Sequence, residues 1–479
     1  MLGFVLCVVA VFVVLISRLF YTWQNPKCNG KLPPGSMGLP FIGETIQFFS
    51  PHRLYDVPPF MKHRMARYGS LFRTSLVGQN IVVSTDPEVN YDLFQQENKS
   101  VILYYTQSFI AVLGQQSLAN QHGGAHKYLR NLILRLVGPA NLKEELLNDI
   151  NNHTVKHLRS WAISGIVDIK EAASDMIFEY FAKKMMSYDE SKNPRKLKEN
   201  YNAFIHGLLA FPLNIPGTAF SACLKGRKNV TKVIKDTLKQ RRSRVSKSTH
   251  HDFLDDLLEE IENEDAMMNE TIAVELVFML LFASHETTST SLTFLLKFIS
   301  DNPKVLSELT EEHEAILRNR DNSGEYSETI TWEEYKSMTF THMVVNETVR
   351  LANIVPGIFR KAVKDIKINE YTIPAGWLIM VVPSVAHLDE NNYEDPCVFN
   401  PWRWEGKELH LGSKSFMAFG GGSRLCAGAD VTKLYLVIFV HHFVTKYRWS
   451  IIKGGDVVRK PGVVFPDGLH IQVSEKHKS

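Results

Sequence analysis

Residues 269–300 form a helix candidate that few folds can accommodate. Asn269 can cap its first turn, and Pro303 ends the helical pattern just beyond it. Its middle part, residues 276–283, is apolar on nearly every side, which predicts burial all round. At 1.5 Å per residue the helix would be about 48 Å long. The segment therefore predicts a helix that crosses the core of a large domain.

The overall composition is that of a globular protein. Of 479 residues, 44% are hydrophobic and 22% are charged, and the formal net charge is +3. This charge is too small to indicate a nucleic-acid partner, and we expect none. The five cysteines are scattered without a Cys-x-x-Cys spacing. They argue against a disulfide framework or a zinc site and favour a reducing compartment.

Residues 1–22 indicate a transmembrane signal anchor. The run is apolar over about 20 residues, which is long enough to span a bilayer. Arg18, Lys27 and Lys31 lie towards its C-terminal side, so the positive-inside rule places the rest of the chain in the cytosol. No basic segment precedes it and no clear cleavage site follows, so we favour an anchor over a cleaved signal peptide. Residues 23–40 contain Leu-Pro-Pro-Gly and predict a stiff, proline-rich hinge.

Beyond residue 41 the sequence pattern is mainly helical. Strand patterns rich in valine and isoleucine occur at residues 71–84, 366–382 and 468–473. The chain is therefore expected to be mainly α with small β-sheets, an α+β fold class.

A polar interruption lies within the long apolar helix, at Ala283-Ser-His-Glu286-Thr287-Thr288. Burying an acid beside threonines is costly unless the acid is paired or functional. One interpretation is that Glu286 marks the exit of the helix to solvent. However, the apolar run resumes at Leu292, which favours a functional notch that holds oxygen and delivers protons beside a cofactor.

Three charged residues in the C-terminal half form a possible buried triad. Thr331-Trp-Glu-Glu334 is a capping-box pattern that starts a helix, and we place Glu347 and Arg350 within that helix on one face. Arg403 stands between aromatic residues in Phe399-Asn-Pro-Trp-Arg-Trp404, a setting that suits a partly buried guanidinium. An exposed Glu–Arg pair would be common and would contribute little.

A single cysteine stands in the segment Phe419-Gly-Gly-Gly-Ser-Arg-Leu-Cys426-Ala-Gly428. The glycines allow the backbone to approach something flat and bulky, and Arg424 can hold an anion. A helical run follows Cys426, and the N-terminus of a helix favours a thiolate. The loop is suited to present the thiolate ligand of a haem iron. Alternatively, it is an ordinary turn with a cysteine that only fills space.

Taken in order, these motifs resemble those of the cytochrome P450 monooxygenases, and the resemblance covers essentially the whole chain. The polar interruption resembles the family's oxygen-activating helix, with Ser284 in place of the usual second glycine. Residues 347–350 resemble its Glu-x-x-Arg motif, and residues 419–428 match its haem-ligand signature in full. Residues 25–40 and 399–409 are similar to the plant branch that oxidises sterols and triterpenes, which includes thalianol hydroxylase.

The resemblance implies a P450 fold and assigns roles by position. Residues 41–479 would form the haem-thiolate monooxygenase domain, with haem b as cofactor and Cys426 as the metal ligand. The implied proton-delivery pair is Glu286 and Thr287. The other implied cofactor-binding residues are Arg424, Arg130, His126, Arg360 and Phe419. His126 stands where many family members have tryptophan.

The resemblance also implies partners and a location. Electrons would come from an NADPH-cytochrome P450 reductase, and O2 would be used to hydroxylate a lipophilic triterpenoid or sterol. The chain would be a single-pass protein of the endoplasmic reticulum membrane with a cytosolic catalytic domain. The alternatives are a haem-thiolate enzyme that acts on a sterol side chain or as an isomerase or lyase, and an anchored binding protein without haem.

Overall fold

The computed structural model describes residues 2–53, 56–189, 197–208, 210, 212–243, 251–263, 266–323, 328–460 and 462–476. In these residues the helices are α1 Leu2–Gln24, α2 Thr45–Phe48, α3 Pro59–Tyr68, α4 Pro87–Gln95, α5 Gln107–Leu113, α6 Gly123–Val137, α7 Pro139–Asn141, α8 Leu147–Ser164, α9 Ile169–Met186, α10 Leu197–Leu208, α11 Ala219–Arg242, α12 Phe253–Glu262, α13 Glu270–Asp301, α14 Pro303–Ser323, α15 Trp332–Ser337, α16 Thr339–Ala352, α17 Pro383–His387 and α18 Ala429–Lys446.

The strands are short and form four small sheets. They are β1 His52–Arg53, β2 Leu71–Leu76, β3 Gln79–Ser84, β4 Val101–Leu103, β5 Ile166–Asp168, β6 Ile358–Ala362, β7 Ile366–Ile368, β8 Tyr371–Ile373, β9 Leu378–Val381, β10 Tyr447–Gly454, β11 Val458–Lys460, β12 Gly462–Val464 and β13 Leu469–Glu475. The largest sheet has the order β2-β3-β9-β6-β4, in which β3 and β9 are parallel and the other pairs antiparallel. The prediction of a mainly α fold with small sheets is confirmed.

The long helix predicted at residues 269–300 is α13. The side chain of Asn269 caps it by accepting a hydrogen bond from the backbone N–H of Ile272 at 3.0 Å. The helix packs against α9, α11, α16 and α18, so most of its apolar side chains are buried. It therefore crosses the core, as its composition predicts.

The first helix is unlike α13 because its apolar side chains are exposed. The segment Phe4–Gln24 has a mean hydropathy of 2.6 and none of it is buried, so it is long and apolar enough to cross a membrane. At its end, Trp23 Nε1 donates to the carbonyl of Met37 at 3.1 Å and Gln24 Nε2 donates to that of Gly38 at 2.7 Å. The proline-rich connector thus folds back onto the end of the helix.

The helix predicted to begin at Thr331 is interrupted. Thr331 and Glu334 form the expected capping box, but α15 ends at Ser337 and a separate helix, α16, carries Glu347 and Arg350. The break lies at Met338, which has ψ 61° and is completely buried. The prediction of one continuous helix is wrong: α16 begins anew after Met338, and the Glu312 carboxylate accepts hydrogen bonds from its Phe340 and Thr341 N–H groups at 2.7 and 3.0 Å.

Candidate active site

Cys426 lies in a tight loop that precedes α18. The Cys426 N–H donates to the carbonyl of Phe419 at 3.0 Å and closes the loop. A short 3-10 turn, Gly422–Arg424, forms its middle. The loop is also held from outside, because the Met417 N–H donates to Nε2 of the buried His387 at 3.0 Å. The cysteine is thus presented by a backbone that is fixed at both ends.

The glycines of this loop serve packing within the chain. A Cβ atom at Gly421 would lie 2.7 Å from the ring of Phe94 on α4, and one at Gly422 would lie 2.2 Å from the Phe94 carbonyl oxygen. Gly422 also has a positive φ of 62°. The flat group that the backbone approaches at Gly421 is therefore the ring of Phe94, which belongs to the protein itself.

The Cys426 sulfur faces an interior space. Its side chain is accessible, yet burial by the surrounding protein raises the pKa of the thiol. A hydrogen bond from the Gly428 N–H and the charge of Arg130 oppose that effect without reversing it. The expected preference for a thiolate is therefore not met by the protein alone. A metal cation held by Cys426 would supply the missing positive charge, because a thiol that ligates a metal loses its proton.

Three arginines lie close to this loop, and a buried glutamate joins two of them. Arg424 Nε lies 3.0 Å from Glu97 Oε1, and Arg360 Nε lies 2.9 Å from Glu97 Oε2. All three of these side chains are almost fully buried. Arg130 Nη1 donates to the carbonyl of Leu425, next to the cysteine, at 2.5 Å. Sequence analysis missed Glu97, which lies 327 residues from Arg424 along the chain.

This cluster has more positive than negative charge. Burial lowers the pKa of Arg130, Arg360 and Arg424. Among the described residues, no carboxylate pairs with Arg130. Three guanidinium groups and one carboxylate leave two positive charges, which fit a ligand with two negative charges, such as the two propionates of haem b. The donor set of one thiol and three guanidiniums therefore suits that cofactor.

His126 lies in the same cluster, on α6. It is buried, and its pKa is lowered to about 4, first by burial and then by the charges of Arg424 and Arg130. It is therefore neutral at pH 7 and adds no charge to the cluster.

On the α13 side, Thr287 and Ala283 are exposed, although most of the neighbouring residues are buried. They are one helical turn apart, so they present one face to an interior space. Thr287 Oγ1 donates to the Ala283 carbonyl at 2.7 Å. The next residue, Thr288, lies 3.3 Å from Thr432 between their hydroxyl oxygens, which ties α13 to the helix that follows Cys426.

The Glu286 carboxylate points towards α9. Its Oε2 accepts a hydrogen bond from Lys170 Nζ at 3.1 Å, and the same ammonium donates to Ser289 Oγ at 3.0 Å. Glu286 is partly exposed but ion-paired, so it is neither a simple exit to solvent nor an unpaired buried acid. Nothing in the sequence predicted that Lys170 would contact α13.

The predicted charged triad is present and completely enclosed. Arg350 donates to both carboxylate oxygens of Glu347, at 2.8 and 2.7 Å, and Arg403 Nε lies 2.9 Å from Glu347 Oε1. Trp404 Nε1 donates to the same carboxylate at 3.0 Å. Glu347 thus joins α16 to the segment that leads to the cysteine loop.

Comparisons with known proteins agree with this fold and site. The family model described as Cytochrome P450 matches residues 33–469. Cytochrome P450 87A3 of Oryza sativa subsp. japonica is 52% identical over 464 residues, covering 96% of this chain and 89% of its own length. Beta-amyrin 16-alpha-hydroxylase CYP87D16 of Maesa lanceolata is 42% identical and covers 98% of both chains.

A solved structure extends the comparison. The chain titled retinoic acid bound cyanobacterial CYP120A1 superimposes with a TM-score of 0.83 at 25% identity, covering 94% of this chain and all of the other. The fold is that of a haem-thiolate monooxygenase, an oxidoreductase whose iron has a cysteine ligand. The chain belongs to the cytochrome P450 family.

Proposed function

We propose that this monooxygenase hydroxylates a triterpenoid or sterol, with Cys426 as the iron ligand and with electrons from an NADPH-cytochrome P450 reductase. The observation that carries the assignment of the site is the group of three arginines at the cysteine loop: Arg360 and Arg424 share Glu97, and Arg130 bonds to the Leu425 carbonyl. Its excess positive charge matches two propionates, and the cluster adjoins the cysteine thiol.

Each residue of the site has a definite task in this proposal. Arg130, Arg360 and Arg424 bind the propionates, and the neutral His126 packs beside them. Phe419 closes the cysteine loop through its carbonyl. When bound, haem with a thiolate ligand supplies the activation of O2. The protein contributes binding, orientation and the exclusion of water.

Proton supply is assigned to α13. The Thr287 hydroxyl lies on the same face of α13 as Ala283 and donates its hydrogen bond to the Ala283 carbonyl. Glu286 and Lys170 form an ion pair on the next face of the same helix, half-exposed, where water can reach them. They are suited to pass protons from solvent towards Thr287 through water.

The substrate class rests on two observations. Relatives such as beta-amyrin 16-alpha-hydroxylase carry a triterpenoid in their names. The resemblance implies that residues 101–119, 275–283, 353–359 and 463–465 line the substrate pocket. Partly buried apolar side chains in these segments are Phe109, Leu118, Leu280, Phe282, Ile354, Val463 and Phe465. Such a lining suits a bulky lipophilic molecule. The resemblance also implies a loop at residues 211–220 that faces lipid; Phe211, its first residue, lies outside the described residues.

Attachment to the endoplasmic reticulum membrane through residues 1–22, with residues 23–40 as the hinge and residues 41–479 as the cytosolic domain, is part of the proposal. The exposed apolar helix α1 supports it. The Phe41 ring is 74% exposed and lies 6.3 Å from the Trp23 ring at the end of α1, so the apolar surface continues onto the domain. A protein held at a lipid surface can draw a lipophilic substrate from it.

The test is turnover with the purified enzyme, its reductase and NADPH against a panel of triterpenes and sterols, read by mass spectrometry. We expect a product heavier by one oxygen atom from at least one panel member, only when NADPH and reductase are present. A product of unchanged oxygen content that forms without NADPH would instead establish an isomerase or lyase.

The iron ligand is tested separately. Cys426→Ala is expected to abolish the thiolate-type carbon monoxide difference spectrum. The matched control is Cys397→Ala, which removes another accessible free thiol and is expected to keep the spectrum. A thiolate spectrum that survives in Cys426→Ala would refute the ligand assignment.

A further inference from the structure

Two histidines and a glutamate converge on the face where α8 meets α9, and the proposed function uses none of these three residues. His153 and His157 are one turn apart on α8, and Glu179 lies opposite them on α9. One possible ligand atom from each of the three lies within 4.8 Å of the other two. All three residues are partly buried.

The spacing of one imidazole and the carboxylate in this cluster is close to that of a metal centre. His157 Nε2 lies 3.1 Å from Glu179 Oε2. Ligand bonds of 2.0–2.2 Å in a tetrahedral zinc site place neighbouring ligand atoms about 3.4 Å apart. The other carboxylate oxygen, Oε1, is 2.7 Å from Lys156 Nζ, so Oε2 is the oxygen available to a cation.

The second imidazole is held as metal-binding imidazoles commonly are. His153 Nε2 lies 2.7 Å from the Met176 carbonyl oxygen, which fixes the ring and leaves the lone pair on the other nitrogen. A simple ion pair with Glu179 requires only one imidazole. The His153 and His157 rings are 4.5 Å apart between centroids, and two protonated rings at that distance would repel each other.

We propose that His153, His157 and Glu179 form a zinc site with water as the fourth ligand. Two imidazole nitrogens and one carboxylate oxygen are the donor types that Zn²⁺ accepts in three-residue sites. The expectation of no zinc site rested only on the scattered cysteines of the sequence. The site proposed here uses no cysteine. The bound ion would join α8 to α9, the helix that also carries Lys170 opposite Glu286.

The experiment measures zinc binding to the haem-loaded full-length protein, purified without a histidine tag and stripped with a chelator. Equilibrium dialysis with elemental analysis gives the stoichiometry, and calorimetric titration with Zn²⁺ gives the affinity. The variants are His157→Gln and Glu179→Gln. The matched control is His251→Gln, because His251 is exposed and its Nε2 lies 2.7 Å from a carboxylate oxygen of Asp256.

We expect the wild type and His251→Gln to bind one zinc ion per chain with equal affinity. His157→Gln and Glu179→Gln should weaken binding by more than about tenfold. The proposal is overturned if the wild type takes up no zinc at 100 times its protein concentration. It is also overturned if His157→Gln and Glu179→Gln keep the carbon monoxide spectrum of the wild type and bind zinc with the same affinity as His251→Gln. If a variant fails to fold, zinc uptake by the wild type still tests the proposal.

Discussion

Arg424 and Glu97, 327 residues apart, form an ion pair with 3.0 Å between Nε and Oε1. Both side chains are almost fully buried, and the same carboxylate also holds Arg360. The pair ties the turn before Cys426 to the end of α4, so the position of the cysteine loop depends on a residue outside every motif of the sequence. Two buried cations depend on this single carboxylate.

Replacing that carboxylate should therefore be costly. Glu97→Gln leaves Arg360 and Arg424 beside a neutral amide, and breaking a buried ion pair from one side typically costs about 3–5 kcal/mol. We expect the free energy of unfolding, measured with urea, to fall by about that amount. The control is Glu88→Gln, which removes an exposed acid paired with Lys414 and should cost less than about 1 kcal/mol. Similar losses in the two variants would contradict the assigned role of Glu97.

Arg403 should not tolerate the conservative change to lysine. Its Nε contacts Glu347 Oε1 at 2.9 Å, and its Nη1 donates to the Glu394 carbonyl at 2.7 Å. One ammonium cannot reproduce this fork of donors, so Arg403→Lys should destabilise the protein by about 2 kcal/mol.

The matched control for Arg403→Lys is Arg318→Lys. Arg318 and Glu314 form an exposed pair with 3.7 Å between charged atoms, and its loss should be barely measurable. Urea unfolding compares the two variants with the wild type. An Arg403→Lys enzyme as stable as the Arg318→Lys enzyme would show that the triad does not brace the fold.

Acid should destabilise the fold through histidines that are buried in the neutral form. Burial lowers the pKa of His313, His387 and His442 to about 3, against 6.5 for an ordinary histidine. Below pH 6.5 the unfolded chain takes up protons that the folded chain refuses, so stability is lost as the pH falls from about 6.5 towards 3. The slope approaches about 1.4 kcal/mol per pH unit for each histidine.

His387 allows a test of this pH dependence. Its Nδ1 bonds to Asn353 Oδ1 at 2.7 Å, and its Nε2 accepts the Met417 N–H, so the folded ring has no place for a second proton. His387→Gln should reduce the slope between pH 6 and 4 by about one proton. The control is the exposed His410→Gln. Urea unfolding across this pH range measures the slope for each variant. Equal slopes for His387→Gln and His410→Gln would contradict the role of His387.

The sequence predicted α13 and the charged triad because their signals are local. A cap, an apolar run and a stop define the helix, and Glu347 and Arg350 are one turn apart on α16. Glu97 could not be predicted, because its polar neighbours resemble an ordinary loop and its partners are distant in the chain. The break at Met338 could not be predicted either, since it involves neither proline nor glycine and the acid that caps α16, Glu312, lies 28 residues from Phe340.

The roles of the loop glycines also could not be predicted from the sequence. Three glycines in a row indicate a backbone that approaches something closely, but the sequence does not say what it approaches. The structure identifies the Phe94 ring and carbonyl as neighbours of Gly421 and Gly422. The contact depends on how α4 packs against the loop, and that packing is a property of the whole fold.

Thr287 provides the sharpest test of proton supply on α13. Thr287→Val keeps the shape of the side chain and removes the hydroxyl that bonds to the Ala283 carbonyl at 2.7 Å. Thr290→Val is the matched control, since Thr290 makes the same kind of bond, to the Glu286 carbonyl at 2.8 Å, but its side chain is buried. If the interior hydroxyl delivers protons, Thr287→Val should form several-fold less product per NADPH consumed with an unchanged carbon monoxide spectrum, and Thr287→Ser should restore most of it. If a hydroxyl at either position matters only for the helix, both valine variants should give equal yields, and Thr287 would then have no special role.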